Sequence, residues 1–236
     1  MSAKPILFKT DMVRAILDGR KTMTRRAIKP QPAPHLGCKL GICIAGNKKD
    51  IGKFGFGKHE CGGTIHFVRP PCNTGDILYV RETYAKHPKT EKYYYRADSK
   101  CDGHSTEWGC PQGMKVTDNC ELCAWLDGYI KWHPSIHMPK EAARIWLKVT
   151  DVRVERIKHT SRDSAIKEGI HFCECPDGYT WKGESSISNC YTNPIGAMQA
   201  LWDTTIKKPD LDCYGWDANP WVWVIEFEWC KKPEEV

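Results

Sequence analysis

The sequence predicts an α+β domain, mostly β, with a few short helices and cysteine-bearing insertions. Two observations carry this. Strong β stretches with alternating apolar residues stand near 77–84, 143–157 and 220–229, while helix signals are few and short. Thirteen cysteines are spread mainly over glycine-rich or polar segments between those elements. The 236 residues suffice for one large domain or two small ones. No internal repeat and no charge-rich linker divides them, so one domain over 1–236 is expected.

The elements follow in order. Ile6 to Lys9 reads as a first strand. Thr10 or Asp11 caps a helix whose apolar face is Val13, Ile16 and Leu17, and Gly19 is placed to end it in the left-handed conformation. A basic segment, Lys21 to Arg26, runs on to a strand ended by Pro30, Pro32 and Pro34. An irregular excursion is expected over about 36–71. Gly75-Asp76 turns into the strand from Ile77 to Tyr84, and Tyr93 to Arg96 forms another. A second cysteine-bearing insertion covers about 97–131. Ile145, Leu147 and Val149 share one face of a long β stretch, and a phase shift near Thr150-Asp151 predicts a bulge. Ser161 caps a short helix ending at Glu168-Gly169, and a third excursion spans 171–190. Asn193-Pro194 starts a helix that buries Met198, Leu201 and Trp202. A closing strand places Trp221, Trp223, Ile225, Phe227 and Trp229 on one heavy apolar face.

Composition narrows the setting. Hydrophobic content of 41% with 27% charged residues is that of a soluble globular protein. No apolar run is long enough to span a membrane, and the N-terminus has no signal-peptide core, so a cytoplasmic protein is expected. The net charge of +6 fits either a polyanionic partner or an ordinary basic surface. Aromatic residues beside basic ones, as in Lys92-Tyr93-Tyr94-Tyr95-Arg96, serve base stacking in some proteins and cores in more.

The densest chemistry lies in Gly19-Arg20-Lys21-Thr22-Met23-Thr24-Arg25-Arg26. An amine, a hydroxyl and a guanidinium follow a helix end within a few residues. A lysine of lowered pKa serves as a base, a threonine as a nucleophile, and an arginine as a phosphate clamp. The pattern Gly19-x-Lys21-x-x-Thr24-x-Arg26 resembles the signature of ASCH domains, which have a PUA-like β-barrel fold. Further segments resemble that family in the correct order: Gly75-Asp76-x-Leu78-x-Val80-Arg81-Glu82, Ala165-x-x-Glu168-Gly169 and Trp221-Val222-Trp223-Val224-Ile225-x-Phe227. The runs Pro134 to Pro139 and Gly215 to Trp223 are similar to phage and prophage members.

Some small ASCH proteins are N(4)-acetylcytidine amidohydrolases. The resemblance implies catalytic roles for Lys21, Thr24 and Glu168, with Arg26 on the motif arginine. Glu82 lies on the face of Leu78 and Val80, as a substrate contact or a structural ion pair. His137, in a proline-bounded loop, is a further candidate for the pocket mouth. The residues themselves raise a conflict. Lys21 follows a helix C-terminus, which favours the ammonium, so only burial makes it a base. Other family members bind RNA without known chemistry. The expected function is removal of an acyl group from the exocyclic amine of a cytosine nucleoside. The alternatives are an RNA- or nucleotide-binding module and a phage accessory protein that binds a host factor. The partner is a modified nucleoside or RNA, with no membrane involved.

Thirteen cysteines in a cytosolic chain point to metal rather than disulfides. Cys120-x-x-Cys123 with Cys101 and Cys110 would hold a structural zinc, free thiols being the alternative. Cys38, Cys43, Cys61 and Cys72 with His59 form a looser second set, and His171, Cys173, Cys175 and Cys190 a third. No metal is expected in the catalytic step.

Overall fold

The computed structural model describes residues 3–32, 38–43, 47–57, 66–86, 91–98, 132–173, 178–182 and 190–233. They form a mixed α+β structure, mostly strands with few helices. Its main sheet has five strands: β1 (Lys4–Leu7), β2 (Met23–Ala27), β6 (Ile77–Arg81), β9 (Trp146–Arg156) and β12 (Trp221–Trp229). Their order is β1-β6-β9-β12-β2. β1 runs parallel to β6, and the other pairs are antiparallel.

The sheet is not closed into a barrel, because β1 and β2 form its two edges. One side-chain bond joins the edges: Arg26 Nη2 donates to the Leu7 carbonyl at 2.7 Å. The predicted bulge is present. Glu226 pairs with Asp151 and Phe227 with Val149, so the register slips past Thr150. β12 differs from its one-faced expectation. Val222 and Val224 are as buried as Trp223 and Ile225, because β12 is an interior strand with both faces covered, while Trp229 is exposed.

The first excursion is not irregular in its described parts. β3 (Cys38–Ile42), β4 (Phe54–Gly57) and β5 (His66–Val68) form a three-stranded antiparallel sheet. Phe54 and Phe56 pack edge-on against Trp223 and Trp221, at 5.1 and 5.3 Å between centroids, so two aromatic pairs anchor this sheet to the core. β7 (Tyr84–Lys86) pairs with β8 (Tyr93–Tyr95). β10 (His171–Cys173) pairs with β11 (Gly178–Thr180) in the third excursion.

Three helices set the site. α1 (Thr10–Leu17) buries Met12, Val13, Ala15 and Ile16. Gly19 follows it at φ 72, as its position after the helix predicts. α2 (Arg162–Lys167) starts at Ser161, whose hydroxyl accepts from the Ser164 N–H. α3 (Pro194–Thr205) starts at Asn193, whose side chain accepts from the Gly196 N–H, and it buries Met198, Leu201 and Trp202 as predicted. A short α4 (Leu211–Tyr214) leads into the last strand. No helix among the described residues is long and apolar enough to cross a membrane.

Candidate active site

Two helix ends meet to build the site. The chain leaves α1 with the Arg20 and Lys21 N–H groups both donating to the Ala15 carbonyl. α2 ends at Lys167, Glu168 stands at its C-cap, and Gly169 takes φ 103. A Cβ on Gly169 would stand 3.0 Å from that of Ala15, so glycine there lets the two helix ends touch. Lys21 and Glu168 then form an isolated antiparallel bridge, supported by the Thr22 N–H donating to the Lys167 carbonyl.

Side chains complete the junction. Lys21 Nζ donates to Glu168 Oε2 at 2.7 Å, to the Glu168 carbonyl at 2.8 Å and to the Met23 carbonyl at 2.7 Å. Three acceptors match the three protons of an ammonium. Arg25 Nη1 donates to the other carboxylate oxygen, Glu168 Oε1, at 3.1 Å, and Arg25 Nη2 to Ser164 Oγ at 3.0 Å. The side chains of Lys21 and Arg25 are each 1% exposed, and that of Glu168 is 4% exposed. Two buried cations thus share one buried carboxylate. The nearest additional anion is Glu155 Oε2, 3.7 Å from Arg25 and partly exposed. Arg25 Nε is buried without a hydrogen-bond partner.

Burial is the main influence on Lys21 and lowers its pKa from the ordinary lysine value. Glu168 opposes this through charge and hydrogen bond, and Arg26 and Arg25 add to it. The conflict expected between helix end and burial therefore goes to burial in direction, while the resting hydrogen bonds still describe the charged form.

A cavity of about 290 Å³ opens over this cluster. Lys21, Thr24, Arg26 and Glu168 all line it, from the α1–β2 turn, β2 and the end of α2. Arg25 lines it too, with Lys9, Thr83 and Ser135. Phe8, Met12, Met198 and Trp202 supply an apolar wall. The Arg26 guanidinium stands 5.2 Å from the Phe8 ring centroid and Lys21 Nζ 5.6 Å from it, so both charges lean on one aromatic ring.

Glu82 stands elsewhere. Just beyond β6, its two oxygens take Arg144 Nε and Nη2 at 2.9 and 3.0 Å, and it does not line the cavity. It shares its parity with Leu78 and Val80, but Arg144 occupies both oxygens in the ion-pair arrangement. His137 is exposed, in the turn Ser135–His137, and its carbonyl accepts from the Tyr84 hydroxyl. Ser135 of the same turn reaches the cavity, whereas His137 is not among its lining residues. Cys101, Cys110, Cys120 and Cys123 lie outside the described residues, as do His59, Cys61 and Cys175. Among the described residues no group of three metal-ligating side chains converges.

Sequence reasoning missed Arg25 and Ser164. The available signal was the doubled Arg25-Arg26 and the parity of β2, which sends Thr24 and Arg26 to one face and Met23 and Arg25 to the other. Both faces are covered here, so the second arginine is also buried. Comparison with known proteins brings no match: no family model, no curated protein and no solved structure is significantly similar to this chain.

Proposed function

We propose that this protein is a hydrolase that removes an acyl group from the exocyclic amine of a cytosine nucleoside. The observation that carries the reading is the convergence on one cavity of Lys21, Thr24 and Arg26 from one stretch and Glu168 from another 147 positions after Lys21. The resemblance of these residues to the ASCH signature selects the reaction, with the open sheet read as a PUA-like architecture parted between β1 and β2. A cavity of about 290 Å³ lies just below the roughly 300–1,000 Å³ of small-molecule sites, which suits a single base.

Lys21, as the neutral amine, takes the Thr24 hydroxyl proton while Oγ forms a bond to the acyl carbon. The carbonyl oxygen becomes an oxyanion beside the cationic cluster. The C–N bond breaks, and the departing amine receives the proton from Lys21. Water then adds to the threonine ester with Lys21 again as base, releasing the carboxylic acid and restoring Thr24. Glu168 orients Lys21 throughout, and Arg26 holds the substrate. The test is acetate release from N(4)-acetylcytidine by purified protein, with loss in Lys21→Ala, Thr24→Ala and Glu168→Ala. No turnover on a panel of acylated cytosine nucleosides overturns the reading.

One observation favours a second reading, a nucleotide-binding module without chemistry. All three bonds of Lys21 Nζ go to Met23 and Glu168, none to Thr24, as suits an electrostatic clamp. That reading predicts salt-dependent binding of RNA or free nucleotides, and absence of affinity at moderate salt counts against it. In either case Cys101, Cys110, Cys120 and Cys123 are assigned to a structural zinc, since four thiolates leave no open position for substrate. Protein purified without added metal is expected to carry at least one zinc per chain, and less would refute that assignment.

A further inference from the structure

We propose that Arg25 is a positioning residue that fits Lys21 to act as a base, by taking one oxygen of the Glu168 carboxylate away from it. This rests on the hydrolase reading and adds to it a residue outside the Lys21, Thr24 and Arg26 pattern. Glu168 is split between two cations: Oε2 serves Lys21 at 2.7 Å and Oε1 serves Arg25 at 3.1 Å. A carboxylate given wholly to Lys21 would hold its third proton firmly. Divided, it leaves the ammonium under-compensated in a closed site, where each charge counts for more than in water.

Arg25 is poorly explained as a stabilising residue. Its guanidinium is buried with Nε lacking any partner among the described residues, and an orphaned buried donor is destabilising. It adds a second buried positive charge to a site where Lys21 already answers Glu168. Ser164 at 3.0 Å and Met23 Sδ at 3.5 Å fix the plane of the guanidinium, so its grip on Oε1 is directional.

Among the described residues the other charges around Lys21 are few. Arg26 on β2 acts in the same sense as Arg25. Lys9 stands on the cavity wall beyond α1's start. Behind Arg25, Glu155 on β9 partly offsets it, and Glu155 is itself held by Arg153 at 2.7 Å. Beside Gly169, Arg20 pairs with Asp18 and meets His171.

The experiment reads Lys21 directly and through turnover. The titration of Lys21 is followed by lysine side-chain NMR in the wild type, Arg25→Met, Arg25→Lys and Glu155→Gln, beside the pH profile of kcat/KM on N(4)-acetylcytidine. In Arg25→Met, Lys21 should titrate about one pH unit higher. The acidic limb of the profile should follow it, giving about tenfold lower kcat/KM at a fixed pH below the limb. Arg25→Lys should restore most of the shift. Glu155→Gln should move Lys21 to lower pH, because Arg25 is then less offset. Unchanged Lys21 titration in Arg25→Met, or a downward move, overturns the proposal. If Arg25→Met does not fold, the opposite-sign shift in Glu155→Gln decides, and its absence overturns the proposal. Absence of any wild-type turnover would refute the hydrolase reading alone, since the NMR titration still decides whether Arg25 lowers the proton affinity of Lys21.

Discussion

Glu82 and Glu168 are both buried carboxylates gripped by arginine, and they are built for different ends. Glu82 gives both oxygens to one guanidinium, and Arg144 reaches outward to Asp98 at 2.7 Å with 27% of its side chain exposed. Solvent and a second carboxylate share that charge, and Glu82 does not line the cavity over Lys21. Glu168 divides its oxygens between Lys21 and Arg25, both 1% exposed, and faces the cavity. One carboxylate closes a surface strap. The other leaves an excess positive charge facing the cavity. A buried acidic residue thus earns a functional reading from its charge balance and its access to a cavity.

The largest effects should fall on turnover at the Glu168 side. Lys21→Ala is expected to lower kcat/KM by roughly 10²–10⁴-fold, the range for loss of a positioned base. Thr24→Ala, assayed on N(4)-acetylcytidine, should do at least as much. Activity retained in both would erase the distinction between the two glutamates. Glu168→Ala comes next, as a stability effect of about 3–5 kcal/mol, because two buried cations lose their shared anion. Urea unfolding measures it, and a loss below about 1 kcal/mol would show that Glu168 is not what holds the two buried cations.

Much of this contrast was legible in the chain. The caps at Ser161 and Asn193, the glycine after α1 and the slip at Thr150 follow from local chemistry, and each stands where the residues place it. The pairing of Lys21 with Glu168 was implied by resemblance, since the two are 147 positions apart and no local rule joins them. Arg25 was hidden because alternation says which face a residue takes, and only packing says that both faces are covered. Local sequence leaves Glu82 between two roles for the same reason: Arg144 lies 62 positions away. The strands at Phe54–Gly57 and His66–Val68 are short, the first with two glycines, and only docking of Phe54 and Phe56 on tryptophans makes them a sheet.

A smaller effect sharpens the other side of the comparison. Glu82→Gln should cost about 1–3 kcal/mol of stability, because Arg144 loses a charged acceptor but keeps Asp98 and solvent. Turnover on acylated nucleosides should stay within about twofold of wild type, because Glu82 does not line the cavity. A large loss of turnover with intact stability would move Glu82 into the substrate site.

The finest test uses the opposite pH signatures of the two clusters. Burial raises the Glu82 pKa above the ordinary carboxylate value of 4.5, and Arg144 only partly offsets it. The folded protein then holds that proton more firmly than the unfolded chain. Its contribution is fully present below pH 4.5 and is lost as pH rises through the folded-state value. Lys21 runs the other way. Its folded-state pKa lies below the ordinary 10.5, so the unfolded chain binds more protons in the window beneath 10.5. Stability from this group is lost as pH falls through the folded-state value and regained toward 10.5. The stability of wild type relative to Glu82→Gln should therefore decline as pH rises from 4.5. The stability of wild type relative to Lys21→Met should increase on approach to pH 10.5. Chemical denaturation of the three proteins across pH measures both slopes. A Lys21 slope of the opposite sign would show that Glu168 outweighs burial, leaving Lys21 a permanent cation and the cavity a clamp.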